Sequence, residues 1–281
     1  MSSKFVVGAE DNGLRLDQVV PKHVEGLSRR KARAVIDIGG VFVDRARVKV
    51  AGRPVRAGQV IEVNLGGALG REPAPPPRVV FVDAHLIVVD KPAGLVTAPT
   101  PESDRGDALD QLSREFGEVY LVHRIDLPTS GLLVFARTRA ANKALGDAFV
   151  RHDVDREYQA VAIGAVAAQT IERSIGGKRA VTHVEPIEPL AGATLVRARL
   201  ETGRTHQIRI HLAGLGHPLA GDTQHGGDAA RQFSPKAPRL ALHAGVLGFT
   251  HPATGARVRF EAPLPPDLAA WLARLRPPVA E

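Results

Sequence analysis

The chain has 281 residues, 44% hydrophobic and 24% charged, and its 37 Lys and Arg against 30 Asp and Glu leave a formal net charge of +7. That composition is globular with a basic tilt; it excludes a disordered chain, and no apolar run reaches the roughly 18–20 residues of a membrane helix. Cysteine is absent, which excludes disulfides, a thiol nucleophile and a cysteine-based zinc site. Met1–Glu10 lacks the basic-then-apolar pattern of a secretory signal, so a soluble protein of the cytoplasm is expected. The basic excess is uneven: residues 1–65 hold 12 Lys and Arg against 7 Asp and Glu, most of the imbalance in under a quarter of the chain.

In chain order, Leu14, Val19 and Val20 begin a helical pattern that Pro21 is expected to limit. Ser28 reads as the N-cap of a helix from Arg29 to Ile38, stopped by Gly39-Gly40. Alternating Val41 and Val43, Val48 and Val50, then Val55 and Ile61–Val63 read as short strands. Residues 66–78, rich in Gly and then in Pro, read as a linker. The chain therefore divides into a small module at 1–65 and a body at 79–281.

The body opens with the strand Leu86–Asp90, running into a turn at Lys91-Pro92-Ala93-Gly94. Leu132–Ala136 is a buried-type strand, and Thr138 caps a helix reaching about Val150. Gln159–Gly164, Thr194–Leu200 and Val246–Phe249 read as further strands. Thr205 reads as the cap of a helix with Ile208, Leu212 and Leu215 on one side, ended by Gly216-His217-Pro218. Trp271 sits in a last short helix with Leu268, Leu272 and Leu275. Strands and helices mix without regular alternation, so the expected class is α+β, with a mainly antiparallel sheet and flanking helices in the body.

Two stretches carry more polar residues and glycine than packing requires. In the first, Asp126 lies in a loop just before a buried strand, with Thr129, Ser130 and the Gly131 amide three to five residues on. These groups can donate to the carboxylate; equally, Asp126 can merely cap its own turn. In the second, a Gly203-Arg204-Thr205 turn enters a helix carrying Arg209, a setting that suits an anion or an ordinary solvated helix start. His206 and His211 are five residues apart and do not share a helix face, which argues against a zinc pair.

Together these stretches resemble a known family. His123-Arg124-Ile125-Asp126 with Thr129-Ser130-Gly131-Leu132-Leu133 is similar to the signature of the RluA-type RNA pseudouridine synthases. Thr202-Gly203-Arg204-Thr205-His206-Gln207-Ile208-Arg209, Gly216-His217-Pro218 and Gly221-Asp222 resemble its later motif. Lys91-Pro92-Ala93-Gly94-Leu95 and Leu242-His243-Ala244 with His251-Pro252 resemble its flanking motifs, in the same order, across residues 79–265. In the small module, Leu14-Arg15-Leu16-Asp17, Ser28-Arg29-Arg30-Lys31 and Gly39-Gly40-Val41-Phe42-Val43 resemble the S-four-type ribosomal-protein RNA-binding domain. Asp44-Arg45 departs from the Asn-Gly turn usual there, and a lengthened hairpin loop is expected.

The resemblance implies isomerisation of uridine in RNA to pseudouridine, with Asp126 as the catalytic carboxylate, Arg209 paired to it and Tyr158 beside the base. Arg124 would fill the gap left by the extruded base. His123, Thr129, Arg204 and His206 complete the expected substrate site, the two histidines mainly as hydrogen-bonding scaffold. Arg29, Arg30, Lys31 and Arg33 read as phosphate contacts. No metal and no cofactor are implied. The expected partner is RNA, large-subunit ribosomal RNA before transfer RNA, with no membrane and with a monomeric protein. The competing classes are a non-catalytic RNA-binding or ribosome-assembly protein and a metal-free hydrolase; the latter lacks a G-x-S-x-G nucleophile motif.

Overall fold

A computed structural model describes residues 2–37, 40–64, 75–99 and 107–276. It divides into two units, residues 1–74 with 98–110 and residues 75–97 with 111–281. The stretch read as a linker lies outside the described residues as far as 74, and the first strand of the body begins at its last residue, Arg78.

The first unit contains β1 (Ser2–Val6), α1 (Leu16–His23), α2 (Arg29–Asp37), β2 (Val41–Val43), β3 (Ala46–Val48) and β4 (Val60–Asn64). Its strands form an antiparallel sheet in the order β1-β4-β2-β3. Leu16, Val19 and Val20 of α1, Ala32 and Ile36 of α2, and Val41, Val43, Ile61 and Val63 of the sheet share one core. Ser28 caps α2 as expected, its Oγ accepting from Lys31 N at 3.3 Å. The predicted stop at Gly39 falls outside the described residues.

Two expectations fail in this unit. Pro21 lies inside α1 rather than ending it. The helix has only two turns, and its buried face outweighs the single bond lost at proline. The β2–β3 hairpin is not lengthened: Asp44 and Arg45 both adopt positive φ, 50° and 67°, and close a two-residue turn. That geometry matches the twist of the flanking strands. The Asp44 carboxylate secures it by accepting from Val60 N and Gln59 Nε2, each at 2.9 Å.

The rest of the chain carries β5 (Arg78–Val82), β6 (Leu86–Lys91), α3 (Ala108–Phe116), β7 (Tyr120–Leu121), β8 (Ser130–Ala136), α4 (Arg139–Val150) and β9 (Val154–Ile163). It continues with β10 (Gln169–Glu172), β11 (Val181–Leu190), β12 (Ala193–Leu200), α5 (Gln207–Gly214), α6 (Gly227–Gln232), β13 (Leu242–Thr250), β14 (Arg257–Glu261) and α7 (Pro266–Ala273). One sheet runs β10-β11-β12-β9-β13-β8-β6-β5, with β14 added to β13 and β7 to β8. Every pairing among the described strands of this sheet is antiparallel except β13 with β8, so the α+β, mainly antiparallel class is borne out. Leu132 and Val134 of β8 pack with Leu86, Leu145 of α4 and Phe249 of β13. Trp271 and Leu272 of α7 pack on Val161, Leu195 and Ala241. No helix among the described residues is long and apolar enough to cross a membrane.

The parallel pair lies just after the Asp126 loop, where Ser130 and Gly131 meet His243 and Ala244. Gly131 has φ of 120°, and a Cβ there would collide with the Ala244 backbone. A backbone neighbour cannot rotate away. Gly131→Ala is expected to cost roughly 3 kcal/mol, read by urea unfolding; a stability equal to wild type would contradict this close approach.

Candidate active site

The loop bearing Asp126 is fastened on both sides of the carboxylate to the turn that follows β6. Thr97 Oγ1 donates to Ile125 O at 3.1 Å, and Gly94 N donates to Leu127 O at 2.8 Å. Beneath the turn, the fully buried Lys91 Nζ donates to Pro92 O (2.9 Å), Leu95 O (2.8 Å) and Leu127 O (3.5 Å). Burial, with the like charge of Arg239 and against the pull of Asp126 and Asp90, pushes this ammonium down to about 7. Between that value and the ordinary 10.5, the unfolded chain holds a proton that the native one does not. Stability should therefore rise by roughly 2 kcal/mol from pH 7 to 9, and Lys91→Met should remove that rise in urea unfolding.

Asp126 meets Arg209, which α5 presents from its first turn. Arg209 Nη1 donates to Asp126 Oδ2 at 3.1 Å. Its other edge is held by Asp222, with Nε to Oδ2 and Nη2 to Oδ1 each at 2.8 Å, and Nη2 reaches Gln224 Oε1 at 3.3 Å. Arg209 and Asp222 are buried, whereas the Asp126 side chain is 22% exposed. The arrangement is one guanidinium fixed bidentately at its back and offering its remaining amino group to a carboxylate open to solvent. Burial alone would raise the Asp222 carboxyl; Arg209 and the backbone N–H groups of His225 and Gln224 more than offset it and hold it at about 2.

The helix start differs from the expected one. α5 begins at Gln207, not after Thr205, and its N-cap is His206 in a left-handed conformation. The Gln207 carboxamide causes the shift, its Oε1 accepting from Thr202 Oγ1 (2.8 Å) and Arg204 N (3.0 Å) to close the turn. His206 Nε2 then lies 3.9 Å from Asp126 Oδ2, and its Nδ1 is hydrogen-bonded to His225 Nε2 at 2.9 Å. His211 is on another side of α5, bound to Thr182 Oγ1 and Arg173 O.

Tyr158 is buried on β9. Burial raises its phenol pKa; the charge of Arg156 opposes this and that of Asp126 adds to it. Arg124 is exposed and makes no hydrogen bond or ion pair among the described residues.

Other expected residues lie elsewhere or are already engaged. The donors foreseen for Asp126 do not serve it. Ser130 Oγ pairs with His243 Nδ1 and Arg239 Nη2, and Gly131 adjoins Ala244. Thr129 donates its N–H to the Asp126 carbonyl, while its buried hydroxyl has no partner among the described residues. The His123 ring stacks on Phe149, its Nε2 accepts from Val134 N at 3.2 Å, and desolvation lowers it to about 3, a neutral support for β8. Arg204 Nε is spent on the carbonyl of Arg179.

In the first unit, Arg29 and Arg33 converge with Arg15 on the buried carboxylate of Asp17, at 3.4, 3.2 and 3.1 Å. Each of the three guanidiniums remains about half exposed. Arg30 is exposed and Lys31 partly so. The residues that sequence reasoning left without a role are Asp222, Gln224, His225 and Lys91. Asp222 and Lys91 lay in the quoted motifs, but only their long-range partners reveal what they do.

Residues 85–214 match the family model described as RNA pseudouridylate synthase. An uncharacterized RNA pseudouridine synthase of Bacillus subtilis is 35% identical over 295 residues, covering 95% of this chain and 96% of its own. The chain belongs to the RNA pseudouridine synthase family. The synthase is also 36% identical over 293 residues to a ribosomal large subunit pseudouridine synthase D of Nitrosomonas europaea, covering 94% of this chain and 85% of that one. Among solved structures, human RNA pseudouridylate synthase domain containing 1 superposes with a TM-score of 0.59 at 27% identity, over 71% of this chain and 90% of the other. The matched segment contains Asp126, Tyr158, His206 and Arg209 but ends before Asp222 and His225.

Proposed function

We propose that the synthase isomerises specific uridines of large-subunit ribosomal RNA, with Asp126 as the reacting carboxylate. The observation that carries the reading is the Asp126–Arg209–Asp222 array, in which a solvent-open carboxylate is fixed in place by a buried, doubly anchored guanidinium. The reaction breaks the C1′–N1 bond, turns the base and forms C1′–C5. One hydrogen leaves C5 and one is gained at N1, so no oxidant, metal or cofactor is needed. A carboxylate in this position either adds to C1′ or takes a ribose proton as the base leaves. Tyr158 flanks the extruded uracil, and exposed Arg124 occupies the gap it leaves in the RNA.

The first unit is proposed as an S-four-type RNA-binding domain, with Arg30 and Lys31 and the outer faces of Arg29 and Arg33 meeting phosphates. The name carried by relatives in Nitrosomonas europaea and Vibrio parahaemolyticus, ribosomal large subunit pseudouridine synthase D, supports ribosomal over transfer RNA. The proposed enzyme works as a cytoplasmic monomer. Pseudouridine mapping of total RNA from cells with and without the gene tests the assignment. Sites missing from large-subunit RNA are the expected result; sites missing only from transfer RNA would overturn the choice of substrate, and no missing site would overturn the activity.

A further inference from the structure

His206 is held in a left-handed backbone conformation, φ 56° and ψ 24°, at the edge of the Asp126 centre. For a residue with a Cβ that conformation costs on the order of 1–2 kcal/mol. What it places there is a succession of contacts from the carboxylate through two imidazoles, Asp126 Oδ2 to His206 Nε2 at 3.9 Å and His206 Nδ1 to His225 Nε2 at 2.9 Å. The His225 backbone N–H is fixed by Asp222 Oδ1 at 3.0 Å, so the carboxylate that anchors Arg209 also sets the second ring.

We propose that His206 and His225 form a reversible proton relay serving the isomerisation at Asp126. The inference rests on Asp126 being the reacting carboxylate. Where two imidazoles are joined nitrogen to nitrogen, one nitrogen donates and the other accepts. The negative charge of Asp126 favours a hydrogen on His206 Nε2, so His206 Nδ1 accepts from His225 Nε2, and His225 Nδ1 is left as the outer acceptor. At 3.9 Å the Nε2–H is too far from Oδ2 for a hydrogen bond and is available to a substrate atom resting against both groups.

The charged and titratable groups facing His206 are Asp126 from the loop before β8, Arg209 from α5, and Asp222 and His225 from the loop before α6. Desolvation lowers the His206 pKa; Asp126 and Asp222 oppose this while Arg209 and His225 add to it. A ring that is neutral near pH 7 has both tautomers to use.

The proton count closes. As uracil leaves C1′, His206 Nε2 gives its proton to N1, His225 Nε2 passes one to His206 Nδ1, and His225 Nδ1 takes one from solvent. Both tautomers are then reversed. After C1′–C5 forms, His206 Nε2 accepts the proton lost from C5, His206 Nδ1 returns one to His225 Nε2, and His225 Nδ1 releases one. The resting state is restored, with one hydrogen moved from C5 to N1.

The test uses full-length protein in excess over unfractionated RNA, labelled with tritium at uridine C5, from cells lacking the gene. Tritium release is followed in single turnover. His225→Ala should slow release 10- to 100-fold. Added imidazole should restore part of the rate, most effectively for imidazoles titrating near the assay pH, without changing the melting temperature. A wild-type rate in His225→Ala overturns the relay, and so does a loss that no imidazole restores. His206→Asn, a type that tolerates the left-handed backbone, should be slower still and insensitive to imidazole; a wild-type rate there overturns the relay as well. Asp126→Asn assayed alongside separates the two readings. If it is active, the carboxylate assignment fails; if it is inactive while His225→Ala is unaffected, only the relay fails.

Discussion

Asp126→Asn is expected to lower pseudouridine formation by a factor on the order of 10⁴ or more while RNA affinity stays within a few fold of wild type. The amide is isosteric, and its oxygen can still accept from Arg209 Nη1, so the loop tied to Thr97 and Gly94 has no reason to move. What disappears is the anion proposed to add to C1′ or take a proton, and a neutral amide does neither. The proposed phosphate contacts, which include the half-exposed Arg29 and Arg33 beside Asp17, are not touched by the substitution. Single-turnover tritium release and filter binding on the same preparation separate the two effects. Turnover within tenfold of wild type would remove Asp126 from the chemistry.

The second large effect falls on Asp222. Asp222→Ala strips a buried guanidinium of its bidentate partner and leaves the backbone N–H groups of Gln224 and His225 without their acceptor. Breaking a buried pair from one side costs about 3–5 kcal/mol. Freed at its back, Arg209 no longer presents Nη1 at a fixed place, and a loss near 100-fold in rate is expected. The wild-type protein also carries a pH signature of this group. The Asp222 carboxyl is held below its ordinary 3.8, at about 2. The stabilisation it brings is therefore present above about pH 4 and is lost as pH falls toward 2, roughly 2 kcal/mol in all. Acid unfolding of Asp222→Ala should lack that limb; an unchanged acid limb would show that the pair contributes nothing to stability.

Local signals were readable in the sequence where one short segment contains both partners of an interaction. Ser28 and Thr138 cap the helices they precede because each hydroxyl finds an amide three residues on. β8 reads as a buried strand because all its side chains are buried. β11 does not read as a strand, since it contains Pro186 and Pro189. Those prolines are tolerated because β10 pairs with Val181–Val184, leaving the proline end of β11 with a strand on one side alone among the described residues. Likewise, nothing near Arg29 or Arg33 announces Asp17, 12 residues before the first of them. The centre divided in the same way. Motif resemblance brought out Asp126, Tyr158 and Arg209, while His225 and the anchoring role of Asp222 depend on contacts 13 to 19 residues apart that no periodicity encodes.

The double fastening of the Asp126 loop has a consequence for target choice. A carboxylate pinned through Ile125 O and Leu127 O does not reach out toward a buried base. With Asp126 as the proposed reacting carboxylate, the deformation needed to bring C1′ against it falls on the nucleic acid, at a few kcal/mol for unstacking and unpairing. Between two uridines flanked by equivalent phosphate contacts, the one in a loop or a weakly stacked step is then converted faster than the one in a sound helix. Selectivity of this kind is written in the mechanics of the RNA, and the rigid enzyme acts as the gauge that measures it.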